Sequence, residues 1–323
     1  MKALVTGAGG FVGANIAASL VAAGHDVVAW IRPGGSTWRL DHLRGEIEVA
    51  SVDLLDHDSV DAGVRAAGAD WIFHLAAHGA YSWQRDAEVI MQTNLVATVH
   101  LLDACQRRGF RAFVNAGSSS EYGFQDHAPR EDELPEPNSD YASMKAAATL
   151  HCRFVAQRDG VHVVTLRLYS VYGPWEEPGR LMPTLVARGI EGKLPPLVSP
   201  DTPRDFVSAR DTERAFLIAA ERTNLEPGGV FNIGSGRQTT LREVVEVASE
   251  EFGVNEEPRW GTEPQRLWDA AVWVADAEKA QRELGWSAED DLRTGFRRLA
   301  SWLRENPQLW SLYEIGAQAV SPD

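Results

Sequence analysis

Lys2-Ala3-Leu4-Val5-Thr6-Gly7-Ala8-Gly9-Gly10-Phe11-Val12-Gly13 decides the fold. A short apolar run is followed by glycines at positions 7, 10 and 13, and then by an alanine-rich segment that Gly24 ends. The apolar run reads as a strand and the alanine-rich segment as a helix. Glycine at that spacing permits a tight turn, close backbone approach to a pyrophosphate and close helix-to-strand packing. The free N–H groups of a helix N-terminus favour phosphate. The stretch therefore predicts a dinucleotide-binding βα unit, with Gly7, Gly10 and Gly13 in contact with the cofactor.

The pattern continues downstream. Asp26–Ile31, Glu46–Val52, Trp71–Leu75, Ala112–Ala116 and His162–Leu168 read as further strands, separated by helices that include a long one from Val89 to Arg108. Near-continuous apolar strands alternating with helices predict an α/β fold with a Rossmann-type, doubly wound parallel sheet. From Gly173 the character changes, because Pro174, Pro178, Pro183, Pro195, Pro196, Pro200 and Pro203 break the chain into short pieces. We expect residues 1–172 to form the dinucleotide-binding domain, with returns at 208–235. Residues 173–207 and 236–315 are then a smaller, irregular α/β substrate lobe, and 316–323 a flexible tail.

Composition excludes several classes. The 323 residues are 44% hydrophobic and 24% charged, which reads as globular. A formal net charge of −15 argues against nucleic acid or an anionic membrane as partner. Two cysteines, Cys105 and Cys152, form neither a disulfide framework nor a metal-ligand spacing, so no metal site is predicted and a reducing cytoplasm fits. The strand at Lys2 leaves no room for a signal peptide, and no apolar run is long enough to span a bilayer. His74, His78 and His151 offer no metal spacing and read as ordinary residues.

Tyr141-Ala142-Ser143-Met144-Lys145 puts a phenol and an ammonium on one helical face. A nearby positive charge favours the phenolate, which could then exchange a proton with a substrate hydroxyl. The serines Ser118, Ser119 and Ser120 stand upstream. At the end of the second strand, where an acidic residue would bond a ribose 2′-OH, the chain has Arg32. Arg32, helped by Ser36 and Arg39, could meet a 2′-phosphate. This favours NADP(H) as cofactor, with NAD(H) as the alternative.

Together these features resemble the extended short-chain dehydrogenase/reductase family that modifies nucleotide sugars. Thr6 to Gly13 is similar to its cofactor loop, which brings in Phe11 and Val12. Asp53-Leu54 is similar to the pair that contacts adenine, and His74-Leu75-Ala76-Ala77 to the strand end beside the cofactor. Thr93-Asn94 through Ala104 resembles the family's long fourth helix. Ser118 to Gly123 with Tyr141 and Lys145 resembles the catalytic region, and Leu166 to Pro174 the strand and loop after it.

The resemblance implies that Tyr141 is the acid/base at the C4 oxygen of a hexose. It implies that Lys145 holds the nicotinamide ribose and lowers the tyrosine pKa, and that Ser118, with Ser119 as runner-up, bonds the sugar oxygen. Family dehydratases place an acid two residues before the Tyr-Gly pair. This chain has Ser120 there, and Glu121 comes one residue too late.

An acidic protein must bind a nucleotide-diphosphate sugar through specific cations. Arg204, in Arg204-Asp205-Phe206, resembles a diphosphate contact, and Arg266 with Asp269 resembles a phosphate and ribose pair. Arg180 and Ser170 occupy positions that often carry Asn. Ser119 and Ser120 complete the expected substrate contacts. Trp83, Trp175, Trp260 and Trp268 lie in loops, where one could stack on a base or sugar. The favoured activity is NADPH-dependent reduction of a nucleotide-linked 4-keto-6-deoxyhexose. A C4-epimerase with tightly held NAD is the alternative, and a non-catalytic NADP(H) sensor is a third reading. The resemblance also implies a homodimer through the 89–108 and Tyr141 helices.

Overall fold

A computed structural model of the chain describes residues 1–81, 83–261 and 271–318. Seven parallel strands form the main sheet: β1 (Lys2–Thr6), β2 (Asp26–Ile31), β3 (Glu48–Ser51), β4 (Trp71–His74), β5 (Ala112–Ser118), β6 (Val163–Leu168) and, after three short strands, β10 (Val230–Ile233). Their order is β3-β2-β1-β4-β5-β6-β10. The order reverses between β1 and β4. Ligands of such sheets bind there, in the crevice outside the carboxyl ends of the strands. Ala3, Leu4 and Val5 of β1 and Phe113 and Val114 of β5 lose essentially all solvent contact. Burial on both sheet faces is why these strands are apolar without alternation.

Helices cover both faces: α1 (Phe11–Ala22), α2 (His57–Ala67), α3 (Ala87–Met91), α4 (Ala97–Arg108), α5 (Asp140–Asp159) and, later, α7 (Ala209–Glu221). The long helix expected from Val89 to Arg108 is interrupted. A π-turn at Gln92–Val96 separates α3 from α4.

The chain after β6 builds β7 (Ser170–Tyr172), α6 (Leu181–Ile190), β8 (Pro203–Arg204), β9 (Phe206–Ser208), β11 (Thr239–Thr240), α8 (Leu241–Phe252), α9 (Leu292–Glu305) and α10 (Trp310–Gln318). β7 pairs with β9 in parallel and β8 with β11 antiparallel. Tyr172, Met182, Leu185, Val244, Phe296 and Tyr313 belong to a separate apolar core that joins α6, α8, α9 and α10.

This lobe is therefore more helical than its prolines suggest. Pro183 stands in the first turn of α6, where a missing N–H breaks no helical bond. The expected tail also starts too early. Gly316 and Ala317 belong to α10, Ala317 is buried, and Gly316 packs so closely on Pro178 that a Cβ would stand 2.3 Å away.

Candidate active site

The glycine loop is closed by backbone. Gly7 has φ +67°, and a Cβ on it would stand 2.6 Å from the Ala76 amide nitrogen. A Cβ on Gly13 would stand 2.3 Å from the Gly7 carbonyl oxygen. Gly10 caps α1 without a side-chain hydrogen bond, and the first turn carries no acid. The N–H groups at that end therefore remain available to an anion. The cradle fits a dinucleotide pyrophosphate: its space exists because two Cβ atoms are missing, and the positive end of the helix dipole faces it.

A buried relay ties this loop to the crevice. The Thr98 hydroxyl donates to the Asn94 carbonyl at 2.8 Å, so its oxygen accepts from His74 Nε2 at 2.9 Å. His74 Nδ1 then accepts from the Thr6 hydroxyl at 2.7 Å. The Thr6 oxygen in turn accepts the Leu75 amide at 3.2 Å. Burial, assisted by the charge of Lys145, pushes His74 down to about 3, so the ring is the neutral Nε2–H tautomer. Asn94, inside the π-turn, clamps the backbone of His78 from both sides, accepting from its N–H at 2.8 Å and donating to its carbonyl at 2.6 Å. The extra residue of the turn aims Asn94 at the strand end; such turns recur at functional sites.

β5 runs two residues further than expected, because Gly117 and Ser118 pair with Arg167 and Leu168 of β6. Ser118 is thus the last residue of the strand and the N-cap of a 3-10 turn at Ser119–Tyr122. Its hydroxyl is 2.7 Å from that of Ser120 and stands near enough to the Tyr141 phenol to influence its pKa. Tyr141 lies in the first turn of α5, which Ser139 caps. Burial pushes the phenol up to about 12, and Ser118 pulls in the opposite direction.

Lys145 is 4% exposed, and its ammonium donates to the Ala116 carbonyl. Burial lowers its pKa, opposed by Glu121. Ser118 acts to lower the tyrosine pKa, while the Lys145 ammonium is engaged with the β5 backbone.

Glu121 is fully buried beneath this group. Oε1 accepts the Ser118 amide at 2.8 Å and the Thr149 hydroxyl at 3.0 Å, while Oε2 accepts Arg167 Nε at 2.9 Å. The Arg167 guanidinium lies 4.4 Å from the centroid of the Tyr122 ring. Gly117 makes the room, since a Cβ there would stand 2.8 Å from Oε1. The carboxylate therefore holds the serine turn in place from below and faces away from the crevice.

The family model for the NAD dependent epimerase/dehydratase family matches residues 3–234. The chain belongs to this family. It is 31% identical to the dTDP-glucose 4,6-dehydratase of Streptomyces griseus, over 95% of each protein. Its structure resembles the UDP-glucose 4-epimerase of Thermotoga maritima, solved with UDP-glucose (TM-score 0.86, 26% identity, 95% of this chain and 100% of that one). It also resembles MoeE5 solved with UDP-glucose and NAD (TM-score 0.80, 30% identity, 95% and 100%). The family acts on nucleotide sugars with a nicotinamide cofactor, and its solved members have the parallel sheet found here.

Within the family's frame, the remaining predicted residues divide clearly. Arg32 is exposed at the end of β2, and its charge, after burial, helps to lower His78 across the crevice. Asp53 accepts the Leu55 amide at 3.0 Å, which shapes the turn after β3. Leu75 and Ala76 follow β4 against the glycine loop, with Ala77 next in the chain. Arg180 caps α6 and places its guanidinium 5.9 Å from the Tyr81 ring, while Tyr81 contributes to the electrostatics of Tyr141. Tyr81 stacks on Trp83 at 4.7 Å.

Asp205 is buried and accepts the amides of Ser235, Gly236 and Ala275. That fixes Arg204 beside the turn at the carboxyl end of β10, on the same sheet edge as Ser118, with its guanidinium 5.5 Å from the Trp273 ring. Arg266, Asp269 and Trp268 lie outside the described residues.

The Thr6–His74–Thr98 relay and the Arg167–Glu121 pair were missed. Their only sequence signals are polar residues inside otherwise apolar strands. Among the described residues no group of His, Cys, Asp and Glu is placed to hold a metal, and no helix is long and apolar enough to cross a membrane.

Proposed function

We propose that this chain reduces a nucleotide-linked 4-keto-6-deoxyhexose at C4, using NADPH, with Tyr141 as the proton donor. The observation that carries this reading is the group formed by half-buried Ser118 and Tyr141 with buried Lys145, standing over a sequestered Glu121. A phenol pushed up to about 12 carries its proton at neutral pH, which is the state needed to protonate the oxygen of a ketone under reduction. Ser118, near the same phenol, is placed to hold that oxygen. Gly7, Gly10, Phe11, Val12 and Gly13 would hold the pyrophosphate, with Asp53 and Leu54 at the adenine. When bound, the nicotinamide supplies the hydride.

Dehydration needs a base beside the new ketone. Ser120 supplies no carboxylate, and Glu121 is committed to Arg167 and Thr149. This favours reduction over the dehydration named for one of its relatives. Arg32 at the end of β2 favours the 2′-phosphate of NADP(H). Arg204, Arg180 and, from the sequence, Arg266 supply the cations that an acidic protein needs against a nucleoside diphosphate. The second reading, C4-epimerisation with retained NAD, is supported by the likeness to an epimerase.

Purified protein distinguishes the two readings. We expect it to carry no tightly held dinucleotide and to oxidise added NADPH with UDP- or dTDP-linked 4-keto-6-deoxyhexoses. Non-exchanging NAD, together with interconversion of C4 epimers without net oxidation, would overturn reduction.

A further inference from the structure

Arg39 follows Arg32 in the loop after β2, and from the sequence it could assist at a 2′-phosphate. The structure uses it otherwise. The side chain is nearly closed to solvent, and each nitrogen has a partner. Nε donates to the Trp175 carbonyl at 2.7 Å, one terminal nitrogen to the Gly9 carbonyl at 3.3 Å, and the other to the Glu177 carboxylate at 2.8 Å. Gly9 lies in the dinucleotide cradle. Trp175 and Glu177 lie in the segment that runs from β7 to Arg180 at the start of α6. One guanidinium thus joins the two segments that would meet the two ligands.

The far segment is held in an uncommon state. Trp175 has φ +67°, the only positive φ of a side-chain-bearing residue among the described residues. Such conformations persist when their surroundings over-determine them, and they cluster at ligand-binding segments. Four contacts hold this one: the Arg39 bond, the His42 ring stacked on the indole at 4.6 Å, the Trp302 edge at 4.9 Å and the tilted Trp38 ring at 5.7 Å. Arg39 is the one among these that also reaches the glycine loop. An anion held at the α1 N-terminus would meet the Gly7–Gly10 turn, and the Arg39 bonds to Gly9, Trp175 and Glu177 give that turn a direct connection to the chain that leads to Arg180.

We propose that Arg39 is a positioning residue that couples the dinucleotide cradle to the substrate segment, so that each ligand raises the affinity of the other. Coupling of this kind is reciprocal in binding free energy. The inference rests on the functional reading above for the identity of the two ligands.

Calorimetric titration with UDP and dTDP as probes, with and without saturating NADP+ or NAD+, tests it without turnover. In the unaltered protein, dinucleotide should tighten nucleoside-diphosphate binding by about fivefold or more. In Arg39→Lys that factor should fall to within about twofold of unity, and in Glu177→Gln, which leaves the Gly9 and Trp175 bonds in place, it should fall part of the way. Glu177→Gln keeps the test available if Arg39→Lys fails to fold. Equal factors in variant and unaltered protein, or a factor of one in the unaltered protein, would overturn the coupling. Failure of both ligand classes to bind at all would overturn the functional reading and the coupling with it.

Discussion

Glu121 and Arg167 show how a charged pair can serve a site without touching a ligand. Both are buried, with 0% and 3% side-chain exposure. The cost of desolvating two ions is offset by their mutual geometry, by the further bonds to Ser118 and Thr149 and by the Tyr122 ring beneath the guanidinium. Removing one partner strands the other. Arg167→Met should therefore destabilise the protein by about 3–5 kcal/mol, read as a lowered urea midpoint, while Arg167→Met combined with Glu121→Gln should recover part of the loss. A change below about 1 kcal/mol in the single variant would show that the pair does not hold the serine turn.

Tyr141, Lys145 and Ser118 were legible from spacing and resemblance. The electrostatics among them were not, because burial and the Ala116 carbonyl decide where the ammonium points. A sequence carries no record of either.

At the scale of elements, the strands were legible because double burial makes them continuously apolar. The boundary of β5 was not, since glycine and serine at its end pair with β6 for reasons of register alone. The π-turn in the 87–108 helix was hidden for a similar reason. It is set by what Asn94 bonds, not by local propensity. The helices of the later lobe were masked by prolines that fall in loops or in a first turn.

α5 carries a further consequence. Leu150 and Phe154, one helical turn apart, are 55% and 54% exposed, and Val89 on the neighbouring α3 is 37% exposed. Exposed apolar side chains grouped on adjoining helices fit the four-helix homodimer that the family resemblance implies. Light scattering should give twice the chain's 35.5 kDa, and Leu150→Glu with Phe154→Glu should return the mass to one chain. A single-chain mass for the unaltered protein would contradict this.

At the scale of the whole molecule, the strand reversal between β1 and β4 sets the crevice, and several candidate site segments reach it from carboxyl strand ends while Tyr141 and Lys145 come from α5. The glycine loop follows β1, Arg32 closes β2, Leu75 follows β4, Ser118 closes β5, and the turn that positions Arg204 follows β10. The sheet topology thus assembles residues from distant parts of the chain around one place. The overall charge of −15 opposes an anionic substrate there, and the arginines proposed to meet it would offset that charge locally.

Under the proposed reduction this place delivers a hydride from free NADPH and the Tyr141 proton to a C4 ketone. Transfer of deuterium from the nicotinamide C4 of labelled NADPH to the hexose tests it most directly. One deuterium should appear at hexose C4 for each NADP+ released, and Tyr141→Phe should lower the rate by about 10²–10⁴. Hexose interconversion with no deuterium incorporated and no NADP+ released would contradict it.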